Sequence, residues 1–278
     1  MSSPLPHYTC ASGSPVVAIG FGTSQLGDCA EVVAVALGLG YRHIDTAWKY
    51  GSEQGVGDGM KQSGIPRSQI FVTTKVSHEY LRAGDFARSL EESLVRLQTD
   101  YVDQLLVHWP TIDGIPLAET MGALAKAKRE GKARYIGVAN FNIALIEEAR
   151  RVCPEPLSTL QAEYHPYLDQ SKVLAHCRRV GLVFMAYCPL ARGRLFKDPV
   201  LADIARERGK TLAQIALRWL VQQGNIVPIP RSSNPTHMAE SLKVFDFELS
   251  ADEMARIFAL QRPDGRIANP PGRAPIWD

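Results

Sequence analysis

No stretch of this chain approaches the roughly 20 apolar residues that a membrane-spanning helix needs. Its opening, MSSPLPHYTC, has neither the basic nor the apolar region of a secretory leader. The expectation is a soluble, cytoplasmic protein with no membrane partner. Net charge is nearly absent too: 31 Lys and Arg against 29 Asp and Glu leave +2, with no basic block or tail. Phosphate backbones select clustered cations, so nucleic acid is not an expected partner. Cysteines are few, odd in number and scattered (Cys10, Cys29, Cys153, Cys177, Cys188). Such a set builds neither a disulfide framework nor a CxxC zinc or redox site, and it fits a reducing compartment. Pro-, Gly- or Ser-rich linkers and low-complexity tracts are missing, so residues 1–278 are read as one domain.

What is present is a rhythm. The 278 residues are 45% hydrophobic and 22% charged, enough for a large core. A hairpin of Tyr8 to Cys10 with Val16 to Val17 is expected first. Strands then read Val17 to Gly20, Arg42 to Asp45, Ile70 to Lys75, Val102 to His108, Tyr135 to Ala139, Ser158 to Glu163, Val183 to Tyr187 and Ile226 to Ile229. Between them lie segments of helical periodicity, as in Asp85 to Leu97, Ala118 to Glu130, Ser171 to Val180 and Leu212 to Gln223. Gly40, Gly131 and Gly181 stand where left-handed helix ends suit glycine, and Asp169 and Asp252 mark helix starts. The alternation predicts an α/β fold of the (β/α)8 TIM barrel type, with an N-terminal β-hairpin, an extra C-terminal helix near Ala251 to Ala259, and an irregular tail. The rival, an open doubly wound sheet, advertises its nucleotide site as GxGxxG after the first strand. The nearest string, Gly20-Phe21-Gly22-Thr23-Ser24-Gln25, lacks the third glycine.

In parallel barrels, functional side chains collect where strands end at the C-terminal face. Asp45, Lys75 and His108 close three strands there, and Tyr50 follows in the next loop. Phe71, Thr73 and Lys75 alternate onto one strand face, which the pattern turns into the barrel. A lysine there needs a carboxylate, and Asp45 on the neighbouring strand is at the same level. A cation against a phenol stabilises the phenolate, lowering the tyrosine's pKa from about 10 toward useful general-acid values. Singly, each residue has a structural alternative: a cap for Asp45, a surface charge for Lys75, a rim aromatic for Tyr50, a core histidine for His108. Periodicity alone does not separate a reductase from another barrel enzyme.

From about Val16 to Leu249 the chain resembles the aldo-keto reductases. The match is carried by GYRHIDTAWKYGSE, VTTK, LLVHWP, GVANF, QAEYHP and IPRSSNPTHMAESLKVFDFELS. The resemblance implies reduction of aldehydes, ketones or keto sugars by hydride transfer from a nicotinamide cofactor. It makes Tyr50 the acid, Lys75 and Asp45 its tuning pair, and His108 the residue that orients the carbonyl. It also assigns Asn140 and Gln161 to the nicotinamide carboxamide and Tyr187 to the face of its ring, with Gly22, Thr23, Asp45 and Leu190 as further positions that bind the cofactor. Arg231, Ser232, Ser233, His237, Glu240 and Ser241 fall at its adenosine phosphate. Ser24, Trp48, Lys49, Tyr50, His108, Trp109 and Trp277 form the substrate pocket, with Trp48 refilling the space that Ser24 leaves and Lys49 or Arg273 available to attract an anionic substrate.

Departures from the family pattern carry information. Ala139 and Cys188 stand where serine is usual, Arg231 where lysine is, and His237 where an arginine embraces the 2′-phosphate. A guanidinium still suits phosphate, so NADPH (NADP+) is expected as cofactor with NADH as a weaker alternative, and no metal. The short tail is typical of bacterial members similar to diketogluconate reductases, and a monomer is expected. Two other classes remain: a nucleotide-binding regulatory subunit of the same fold, like channel β-subunits, and a metal-dependent barrel hydrolase, whose HxH spacing is absent.

Overall fold

The computed structural model describes residues 5–278 except 12, 14, 112 and 113. Strands β1 (His7–Thr9) and β2 (Pro15–Val17) form an antiparallel hairpin, with Tyr8 opposite Val16. Eight parallel strands follow in unbroken spatial order: β3 (Phe21–Gly22), β4 (His43–Asp45), β5 (Phe71–Val76), β6 (Val102–Val107), β7 (Ala133–Ala139), β8 (Thr159–Glu163), β9 (Val183–Tyr187) and β10 (Ile226–Pro228). The ring is joined by Gly20 N–H donating to the Pro228 carbonyl at 3.0 Å and Gly22 N–H to that of Pro230 at 2.9 Å. Helices cover the outside: α1 (Ala30–Leu39), α2 (Glu53–Ser63), α3 (Ala83–Leu97), α4 (Leu117–Arg129), α5 (Ile143–Val152), α6 (Ser171–Val180), α7 (Pro199–Arg208), α8 (Leu212–Gln222), α9 (Pro235–Leu242) and the appended α10 (Ala251–Phe258). No described helix is long and apolar enough to cross a membrane.

The first barrel strand is Phe21–Gly22, not Val17 to Gly20. The reason is packing. Val16 and Val17 are buried with Phe71 and Val183, which open β5 and β9. The hairpin is tied to the chain just ahead of β9 and β10 by Ala11 N–H donating to the Gly181 carbonyl at 2.8 Å and the Tyr8 hydroxyl to that of Val221 at 3.0 Å, so it covers the N-terminal end of the barrel. The hairpin itself is as expected, with Tyr8 opposite Val16; what shifts is the barrel strand, from Val17 to Gly20 onto Phe21–Gly22.

Helix α3 shows how the covering helices form. Phe86, Leu90, Leu94 and Leu97 recur at three- and four-residue spacing and are all buried, one stripe against the sheet. Gly181 ends α6 at φ 72°, a left-handed conformation in which its own N–H reaches back to the helix carbonyls. The start of α10 is Ser250, two residues before the expected Asp252, because Ser250 and Glu253 bond each other's backbone N–H reciprocally.

Helix α2 is squeezed between two neighbours. A β-carbon on Gly59 would lie 2.5 Å from the Ala30 carbonyl oxygen, and one on Gly57 would lie 2.7 Å from that of Arg96. Alanine has the better intrinsic helix propensity, yet Gly59→Ala forces α1 and α2 apart. Thermal and urea denaturation should show a loss of about 1–3 kcal/mol, the usual cost of overpacking.

Candidate active site

The ends of β4 and β5 bring two opposite charges together out of water. Lys75 Nζ donates to Asp45 Oδ1 at 2.7 Å and to the Thr46 carbonyl at 2.7 Å, with side-chain exposures of 0% and 5% for Lys75 and Asp45. Gln161, from β8 across the barrel, donates to the other Asp45 oxygen at 2.7 Å. Both oxygens are thus occupied, as a buried carboxylate requires. Tyr50 closes the short 3-10 turn Trp48–Tyr50, and the ammonium of Lys75 lies 5.0 Å from its ring centroid. The Tyr50 and His108 rings meet edge to face, centroids 5.6 Å apart.

The electrostatics differ in one respect from the expectation. Burial pushes the Tyr50 phenol up, and the opposing pull of Lys75 does not overcome it, so its pKa lies above the ordinary tyrosine value rather than below. For Lys75, burial favours losing the proton, but Asp45 and then Tyr50 outweigh it and raise the pKa. Burial, reinforced by the charge of Lys75, holds His108 well below 6.5. At neutral pH the cluster therefore contains a protonated phenol, an ammonium and an uncharged imidazole.

A cleft of about 790 Å³ opens beside this cluster. Its wall includes Gly22, Ser24, Asp45, Tyr50, His108, Trp109, Asn140, Gln161, Tyr187 and Leu190, and it continues to Arg231, Ser232, His237, Glu240 and Ser241. Asn140 adopts φ 62°; its amide donates to the His108 carbonyl at 2.9 Å and its oxygen accepts from the Tyr187 hydroxyl at 2.7 Å. The cap of the next helix is Asn142, so Asn140 does not serve there. Gln161 spends its N–H on Asp45 and keeps its oxygen as an acceptor. The Ser241 hydroxyl is committed to the His237 carbonyl at 2.9 Å.

Several expected residues lie off the cleft wall. Thr23 is fully buried, its hydroxyl held by the Asp45 carbonyl and Ser52. Ser233 is exposed and outside the wall. Trp48 does not refill the space beside Ser24: its indole N–H donates to Glu92 at 3.1 Å and its ring packs on Tyr80, both away from the cleft. Lys49 is paired with Glu79 at 2.8 Å on the surface and lies off the cleft wall, although its charge is still felt at His108. Trp277 stacks edgewise on Trp109, one layer behind the wall. Lys75 lies beneath Tyr50 rather than on the wall.

Conversely, Arg192, Gly193 and Phe196, with Thr211, Leu212 and Ala213, line the cleft without having been anticipated. The first three belong to a segment where Cys188, Ala191, Arg192 and Gly193 all have positive φ. That conformation has no periodic signature. Thr211 did carry a signal, the capping box Thr-x-x-Gln that opens α8.

Comparison with known proteins agrees with this geometry. The aldo/keto reductase family model matches residues 18–262. Methylglyoxal reductase DkgB of Escherichia coli O157:H7 is 41% identical over 267 residues, covering 95% of this chain and 99% of that protein. A solved structure of a candidate 2,5-diketo-D-gluconic acid reductase B superposes with a TM-score of 0.93 at 45% identity, covering 98% and 97% of the two chains. The Bombyx mori aldo-keto reductase, solved in complex with NADP, gives 0.88 at 31% identity, covering 94% of each chain. With eight parallel strands carrying an Asp–Lys pair beneath a tyrosine at the mouth of a dinucleotide-sized cleft, the chain belongs to the aldo/keto reductase family.

Proposed function

We propose that this chain reduces small or medium aldehydes, ketones or keto sugars to alcohols, with Tyr50 as the proton donor and NADPH as the preferred cofactor. The observation that carries the reading is the buried Lys75–Asp45 pair under Tyr50, beside an uncharged His108, at one end of the cleft.

The residues fit a nicotinamide dinucleotide. Amide groups of Asn140 and Gln161 and the ring of Tyr187 face the end near Tyr50, while Arg231 and Ser232 stand at the other end of the same continuous cleft. Asn140 and Gln161 would hold the carboxamide, Tyr187 the flat ring, and Arg231 the 2′-phosphate through its planar fork. The Bombyx mori relative binds NADP, which agrees. When bound, the reduced nicotinamide supplies a hydride to the carbonyl carbon.

The chain's own part is proton chemistry. His108, being neutral, can give one hydrogen bond to the carbonyl oxygen without leaving a charge in the pocket. Tyr50 delivers its phenolic proton to that oxygen as negative charge develops there. The phenolate left behind faces the Lys75 ammonium, and Asp45 keeps that ammonium in place. Lys75 thus acts on the deprotonated form of Tyr50, after transfer.

The direct test follows NADPH oxidation at 340 nm with methylglyoxal, 4-nitrobenzaldehyde and a keto sugar. Absence of turnover with every carbonyl would end the reading. Cofactor choice is a separate result. His237 replaces a permanent cation by a histidine, so the preference for NADPH over NADH should stay below about a thousandfold, and His237→Arg should raise it by about tenfold, the worth of one charge-assisted contact. The reading extends to a cytoplasmic protein and to a monomer; for the latter, the exposed large apolar residues described (Leu39, Val95, Phe196, Phe258, Ile276) come from five separate elements rather than one.

A further inference from the structure

Glu163 ends β8, opposite Tyr187 on β9, with its side chain fully buried and off the cleft wall. One of its oxygens accepts from Ile267 N–H at 2.7 Å and from His165 Nε2 at 2.8 Å; the other accepts from Ala268 N–H at 2.7 Å. Burial pushes this carboxyl up, but those hydrogen bonds outweigh it and hold it below the usual carboxylate range. Ile267 and Ala268 lie in an irregular segment with no strand or helix to take their N–H groups. N–H donors turned inward without a ladder need an acceptor, and a buried carboxylate needs donors. Each supplies what the other lacks, across more than a hundred residues of sequence.

The same segment is tied down at its far end. Asn142 donates to the Ile276 carbonyl at 2.8 Å, and the Asp278 side chain accepts from Ile143 N–H at 2.9 Å at the start of α5. At the inner tie, Ala268 itself lines the cleft. Asn269 accepts from the Trp277 indole at 2.9 Å, and the Arg266 guanidinium lies 3.7 Å over the Trp277 ring. Trp277 in turn backs Trp109, which is part of the cleft wall. Residues 266–278 are therefore a strap that bears on the pocket, and its inner end hangs from one carboxylate.

We propose that Glu163 is a positioning residue for the carbonyl pocket: its two-oxygen grip on Ile267 and Ala268 sets where the strap, and with it the Trp277–Trp109 wall, stands. The role rests on the carbonyl-reductase reading above. It makes Glu163 a determinant of substrate affinity, chiefly for bulky carbonyls that touch the wall, and not of hydride or proton transfer.

Glu163→Gln tests it, because the amide presents a donor to N–H groups that need an acceptor. With NADPH saturating, KM for a bulky aromatic aldehyde should rise about tenfold or more, a scale set by small misplacements in a binding site. The kcat, the KM for methylglyoxal and the Kd for NADPH should stay within about twofold. Limited trypsin digestion of the native enzyme should cleave faster after Arg266 and Arg273, while Glu163→Asp, which keeps the charge, should fall between. If Glu163→Gln does not fold, Ile267→Pro, which deletes one of the two donors, lies off the cleft wall and leaves Glu163 intact, must give the same split. Unchanged digestion and unchanged KM in an active background overturn the role, as does a parallel loss of NADPH affinity. A wild-type enzyme inactive on every carbonyl overturns the functional reading itself, whereas the digestion result would still report on the strap.

Discussion

Tyr50→Phe should lower kcat by about 10³-fold, within the range that a positioned proton donor contributes, while the Kd for NADPH moves less than about twofold. Phenylalanine keeps the ring that meets His108 edge to face and removes only the hydroxyl. Stopped-flow turnover and fluorescence titration measure the two quantities separately. Undiminished kcat would mean that another group delivers the proton. The pH profile gives a second check. A general acid works only while it holds its proton, so the rate falls as pH rises through its pKa. Burial holds Tyr50 above the ordinary tyrosine value, and His108 sits well below 6.5. Between those limits neither group titrates, and kcat/KM should be flat from about pH 7 to 9. An inflection near neutrality would contradict both assignments.

Lys75→Met should destabilise the fold by about 3–5 kcal/mol, the usual consequence of removing one partner from a buried ion pair. Asp45 would keep its bond from Gln161 but lose its only counter-charge, with 5% of its side chain exposed. Urea denaturation measures the deficit. Adding Asp45→Leu should recover much of the loss, and a double-mutant cycle yields the coupling. Equal stability of Lys75→Met and the parent would show that the pair is solvated.

Much of the barrel was legible because its strands are short apolar runs between amphipathic helices. Ser171–Val180 was expected as a helix and is one, since its pattern and its closing glycine agree. Asp45, Lys75 and His108 stood out because an ionisable group at the end of an apolar strand contradicts its surroundings. Val16 and Val17 pair in the hairpin that the sequence indicates, whereas the first barrel strand, read as Val17 to Gly20, lies instead at Phe21–Gly22, because apolarity reports burial and not partner. The resemblance assigns Trp48 and Lys49 to the pocket, but Glu92 and Glu79, remote in sequence, bond them off the cleft wall. Arg192 and Phe196 reach the cleft through a run of left-handed backbone that no spacing rule describes. The net pKa of Tyr50 required a quantity that sequence does not carry, the balance of burial against one cation.

The seam between the first and last barrel strands has a consequence for synthesis. Gly20 and Gly22 find their partners only when Pro228 and Pro230 have emerged, about two hundred residues later. At ribosomal speeds of about 5–20 residues per second, that is a wait of roughly 10–40 s. Through that interval the growing sheet has two raw margins and a hairpin with nothing to stopper. A nascent chain of this kind is most adhesive just before its end is made, which is when a chaperone would matter most.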